Sequence, residues 1–107
     1  MSSFDKREEG FEKKFALDAE QKFKAEARRN KLLGLWAAEK LGITGDAAAA
    51  YAKEVVAADF EEAGDQDVQN KVVKDFAAKG VAVTSAEVRA KMDELMAAAA
   101  AQVKAGT

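Results

Sequence analysis

The chain has no histidine, no cysteine and no proline. Without histidine it has no Ser-His-Asp or Cys-His machinery, and no imidazole titrating between about pH 5 and 8. Without cysteine it has no disulfide framework, thiolate zinc site or iron–sulfur ligation. Carboxylates, lysines, a few hydroxyls and a single tyrosine are left to do chemistry. No catalytic residue, metal site or required cofactor is assigned, and an enzyme is not expected.

Long apolar runs are missing too. Stretches such as Ala97–Ala101 fall far short of the ~20 residues that cross a bilayer. The opening Met1-Ser2-Ser3-Phe4-Asp5-Lys6-Arg7-Glu8-Glu9 has acids among its bases and no apolar core of a signal peptide. A cytoplasmic protein without membrane insertion is expected. Nor is there an excess of positive charge: 17 Lys and Arg against 19 Asp and Glu give a net charge of −2. That balance supplies no broad basic surface, so nucleic acid is not expected as a partner. No phosphate loop and no G-x-G-x-x-G occurs. Glu61-Glu62 and Asp65-Gln66-Asp67 lack calcium-loop spacing and read as solvated helix caps.

What is present favours helix. Of 107 residues, 25 are alanine, and most of the rest are good helix formers. A chain of this length makes one domain, burying roughly two-thirds of its unfolded surface. Glycines and caps divide it. A first helical stretch is predicted from about Asp5 to Lys40, ending at Leu41-Gly42. A second begins near Thr44-Gly45-Asp46 and ends before Gly64, with Tyr51, Val55 and Ala58 on one face, widened by Val56 and Phe60. A third opens at Asp65, carries Val68, Val72 and Phe76 at i+4 spacing, and stops at Gly80. A fourth is announced by Thr84-Ser85-Ala86-Glu87, the pattern of a capping box, with Val88, Met92, Leu95, Met96, Ala99 and Val103 facing inward. Val81-Ala82-Val83 is a connector. The alanine tracts Ala47–Ala50 and Ala97–Ala101 are expected to let helices approach closely. The fold expected is an all-α, four-helix up-and-down bundle.

The first segment is too long for such a bundle. Roughly 36 helical residues reach ~54 Å, about twice the length of the others. Leu32, Leu33, Leu35, Trp36 and Leu41 make its second half core-facing. Its first half is sparse in apolar residues, with Phe4, Phe11 and Phe15 at i, i+7 and i+11. Glu9→Lys13, Asp18→Lys22 and Glu20→Lys24 are i,i+4 pairs in the favourable order. Residues 1–20 therefore read as a mobile or protruding helical arm and residues 21–107 as the bundle. The aromatic stripe admits three fates: docking in a partner's groove, folding back onto the bundle, or simple disorder.

Met1–Lys31 holds nine basic and seven acidic residues, the remainder eight and twelve. Lys24, Arg28 and Lys31 share one helix face, with Arg29 pointing off it. That trio is a candidate phosphate site, set against the plainer reading of a solvated helix face. Glu20 and Glu26 interspersed among the bases favour the plainer one.

Three blocks carry a family resemblance. Phe4-Asp5-x-Arg7-Glu8-x-x-x-Glu12-x-Lys14-Phe15-Ala16 is followed by Ala27-Arg28-Arg29-Asn30-Lys31-Leu32-Leu33-Gly34-Leu35-Trp36, and later by Arg89-Ala90-Lys91-Met92-x-Glu94-Leu95. Together they resemble the zeta subunit family of alphaproteobacterial ATP synthases, over essentially the whole chain. The resemblance implies a four-helix bundle with an N-terminal inhibitory arm. It further implies that the arm enters a catalytic interface between alpha and beta subunits, reaches the central stalk, and blocks ATP hydrolysis. Partner-binding residues implied are Phe4, Arg7, Glu8, Phe11, Glu12, Lys14 and Phe15. A location in the cytoplasm, peripheral to the inner membrane when bound, follows from that role. Weak ATP or ADP binding by the bundle is also implied, with Lys24, Arg28 and Lys31 as the residues suggested for it. The rival reading is a small helical nucleotide-binding or sensing module. Having no imidazole, such an inhibitor is expected to act almost equally between about pH 6 and 8.

Overall fold

The computed structural model describes residues 17–58 and 65–106. They form four helices: α1 (Ala19–Leu41), α2 (Gly45–Ala58), α3 (Gln66–Ala78) and α4 (Ser85–Lys104). There is no strand among the described residues, and Val81-Ala82-Val83 is an irregular connector. The expected all-α, four-helix architecture is the one observed.

The boundaries follow from local chemistry. At α4 the Thr84 hydroxyl accepts from the Glu87 amide at 3.1 Å, and the Glu87 carboxylate accepts from the Thr84 amide at 3.2 Å. At the end of α1, Gly42 adopts φ 76° and donates its N–H back to Ala38 and Glu39. The start of α1 differs from expectation. Asp18 is extended, with ψ 175°, and forms a reciprocal capping box with Gln21. The helix begins at Ala19 rather than running through from Asp5, because the Asp18 carboxylate satisfies an amide that a continuous helix would have bonded internally. Asp18 is thus a cap: the Lys22 amide donates to its carbonyl at 2.8 Å, and its carboxylate forms no ion pair with the Lys22 ammonium. Glu20 does pair with Lys24, at 3.2 Å. The drawn boundary between residues 20 and 21 falls in the first turn of α1.

The helix α1 packs against the other three, and α3 touches both α2 and α4. Leu33, Ala37 and Leu41 of α1 meet Tyr51 and Val55 of α2, Val68, Val72 and Phe76 of α3, and Val88 and Met92 of α4. Trp36 stands edge-on to Phe76, ring centroids 5.7 Å apart. Each large side chain fully buried in this way stabilises the fold by about 1.5–3 kcal/mol.

Two packing expectations are corrected. Ala47, Ala49 and Ala50 are exposed, so that tract does not set the helix spacing. The close approach is at Gly34, where an added Cβ would lie 2.6 Å from the Ala52 Cα. Leu35, grouped with the core-facing leucines, is 39% exposed. It follows the buried pair Leu33 and Gly34, and the helical turn carries it past the edge of the apolar stripe.

Candidate functional site

Phe4, Arg7, Glu8, Phe11, Glu12, Lys14 and Phe15 lie outside the described residues. The second candidate set does not. Lys24, Arg28 and Lys31 line one cleft of about 680 Å³ on the outer side of α1. Phe23, 59% exposed, lies beside them. Val56 of α2 closes one side, and Val103 and Gly106 at the end of α4 close the other. The i, i+4, i+7 spacing therefore gathers the three cations as expected. Their environment is not bare solvent: Arg28 reaches Gln102 at 3.4 Å and Lys24 is paired with Glu20.

Arg29, next in sequence, does something else. Its side chain is buried, with Nε donating to Asn30 Oδ1 at 2.9 Å and Nη2 to Asp65 Oδ1 at 2.8 Å. Arg89 of α4 stands 3.8 Å from the other Asp65 oxygen. Asp65 holds the N-cap position of α3 but makes no side-chain cap bond there. The reading of the acidic turn as solvated caps is corrected at this residue. The hydrogen bond from Arg29 holds the Asp65 carboxyl below the usual carboxylate range, opposed by its partial burial and helped by the charges of Arg29, Arg89 and Lys22. A buried guanidinium is costly without such a partner, so the pair belongs to the scaffold.

A second cleft, about 540 Å³ between α2 and α3, is lined by charges of both signs, including Glu54, Asp67, Lys71 and Asp75. Here Tyr51 donates to Asp75 Oδ2 at 2.8 Å, and Lys71 reaches the same oxygen at 3.1 Å. Burial, with the bond to Asp75, pushes the Tyr51 hydroxyl well above its ordinary range. A tyrosine so held keeps its proton and cannot act as a base. No cluster of described residues is fit to hold a metal ion. No helix of the described residues is long and apolar enough to cross a membrane.

Phe23, not singled out from its spacing, and Leu35, expected on the core-facing side, are both exposed. The available signal was an aromatic wedged between Lys22 and Lys24, an odd neighbour for a solvated run.

Comparison with known proteins decides the family. Residues 1–102 match the model of the family described as ATPase inhibitor subunit zeta. The chain belongs to the zeta inhibitor family. A solution NMR structure of a protein 60% identical to it covers 79% of this chain and 96% of that chain, with a TM-score of 0.69. No curated protein matches it. As a zeta-family member the chain is an ATPase inhibitor subunit, regulatory rather than catalytic. The zeta family match spans both the N-terminal residues and nearly all of the four helices.

Proposed function

We propose that this chain blocks ATP hydrolysis by a bacterial rotary ATP synthase by inserting its N-terminal segment into an alpha/beta catalytic interface. The observation that carries the reading is the family match from residue 1, which takes in every arm residue as well as the helices. Phe4, Phe11 and Phe15 supply apolar anchors, each contributing about 1.5–3 kcal/mol when buried. Arg7, Glu8, Glu12 and Lys14 set register against charges at the rim and toward the central stalk. The Asp18 cap supports this division of labour: it gives the bundle a defined first turn immediately behind the segment. Bound in this way, the protein sits at the cytoplasmic side of the inner membrane, carried there by the enzyme.

The test is ATP hydrolysis by the purified catalytic head, with the full chain and with a chain lacking Met1–Ala16. That truncation keeps Asp18 and hence the start of α1. Inhibition is expected to vanish with the segment. Equal inhibition by the truncated chain would refute the insertion mechanism.

A second reading has its own observation. Three cations and an aromatic ring in one cleft suit the phosphates and base of an adenine nucleotide, bound weakly. ATP titrated into labelled chain should shift the amides of Lys24, Arg28 and Lys31 together. Shifts elsewhere would remove the cleft from consideration.

A further inference from the structure

Phe23 and Leu35 are the large hydrophobic side chains exposed among the described residues. They end one i,i+4 row of α1, Phe23-Ala27-Lys31-Leu35, about 18 Å long. The cleft beside Phe23 continues past Lys31 and Val56, which line both parts, into a further hollow of about 320 Å³. Leu35, Ala49 and Ala52 wall that second part, with Lys53 beside it.

The charged side chains lining this groove are of one sign, although Lys24 is already paired with Glu20 at 3.2 Å. Lys24, Arg28, Lys31 and Lys53 line it, and no Asp or Glu does, in a chain with more acids than bases. Lys31 and Lys53 form no ion pair with a described residue.

We propose that this groove seats an acidic amphipathic helix of the ATPase head, a second contact alongside the N-terminal segment. The inference rests on the reading of the chain as an inhibitor of that enzyme. Three helical turns span the groove. Apolar side chains on one face of such a helix fill the Phe23 and Leu35 ends, and carboxylates on its flanks meet Lys31 and Lys53. A nucleotide at Lys24, Arg28 and Lys31 would leave the Leu35 end empty. Position in the chain favours the same partner, because Phe23 lies one turn after the start of α1, directly behind the inserted segment.

The experiment uses the full chain and the purified catalytic head. A photo-crosslinking amino acid replaces Ala49, which is exposed and lines the groove. Separately, Lys53→Glu and Leu35→Glu are measured alone and together for affinity and inhibition. Crosslinks to an acidic helical stretch of the head are expected, with affinity reduced about tenfold in the double variant. Lys53→Glu, at an exposed position, gives the charge effect even if Leu35→Glu lowers stability. Crosslinks confined to a second copy of the chain overturn the proposal. So does unchanged affinity with no crosslink to the head, whether or not the wild-type chain inhibits. Should the chain lacking Met1–Ala16 still inhibit while the crosslink maps to the head, the groove stands and the insertion mechanism falls.

Discussion

The Arg29 guanidinium in the middle of α1 lies 2.8 Å from the Asp65 carboxylate at the head of α3. These residues stand 36 apart in sequence, and the bond ties together two helices that otherwise meet lightly. Arg29 is 4% exposed and Asp65 35%, so the carboxylate retains solvent while the cation does not.

Asp65→Asn is therefore expected to destabilise the fold by about 1.5–3 kcal/mol at neutral pH, the range for a hydrogen bond to a charged group. The pH dependence has a definite sign. A carboxyl held below its unfolded value contributes stability above about pH 4, and that contribution disappears as pH falls through the folded value. The gap between wild type and Asp65→Asn in urea unfolding should be full at pH 6 to 7 and close progressively below about pH 4. A gap that persists unchanged into acid would exclude the ion pair as its cause.

Tyr51 reports the opposite end of the scale. It is the chain's single tyrosine, so phenolate absorbance belongs to it alone. Its raised value means that stability is full below about pH 10 and falls as pH rises above the unfolded tyrosine's range. In the folded chain no phenolate should appear at about pH 10, and its appearance should coincide with unfolding. Tyr51→Phe removes the bond to Asp75, costing about 0.5–1.5 kcal/mol, with Lys71 still there to hold that carboxylate.

Gly34→Ala sets helix propensity against packing. Alanine gains about 1 kcal/mol in a helix interior. The new Cβ would meet the Ala52 backbone at 2.6 Å, however, and a helix must move to admit it. Overpacking of this kind costs about 1–3 kcal/mol, so a net loss is expected in thermal or urea unfolding. A more stable Gly34→Ala variant would show that the approach of α1 to α2 is looser than the geometry indicates.

Inhibition, corrected for the enzyme's own titration, should change little between about pH 6 and 8. The chain has no histidine, and among the described residues the two groups whose environments move them, Asp65 and Tyr51, both move away from neutrality. Assays of ATP hydrolysis at fixed inhibitor across that range check this. A steep loss of potency would place a titrating group in the contact.

Local chemistry was enough to read most of the helices. The capping box at Thr84, the left-handed Gly42 and the i+4 row Val68, Val72 and Phe76 each depend on neighbours within one or two turns, and so could be found from spacing. The gathering of Lys24, Arg28 and Lys31 was legible for the same reason, since all three lie on one helix. The apolar side of their cleft was not. Val56 and Val103 come from other helices, and only the packed bundle sets them beside α1. Arg29 looked like one more surface cation until Asp65 and Arg89 arrived from α3 and α4 to make it a buried tie. Helix formation is governed by contacts three or four residues apart, whereas burial and charge pairing across helices depend on contacts tens of residues apart. Those contacts exist only once the chain has folded.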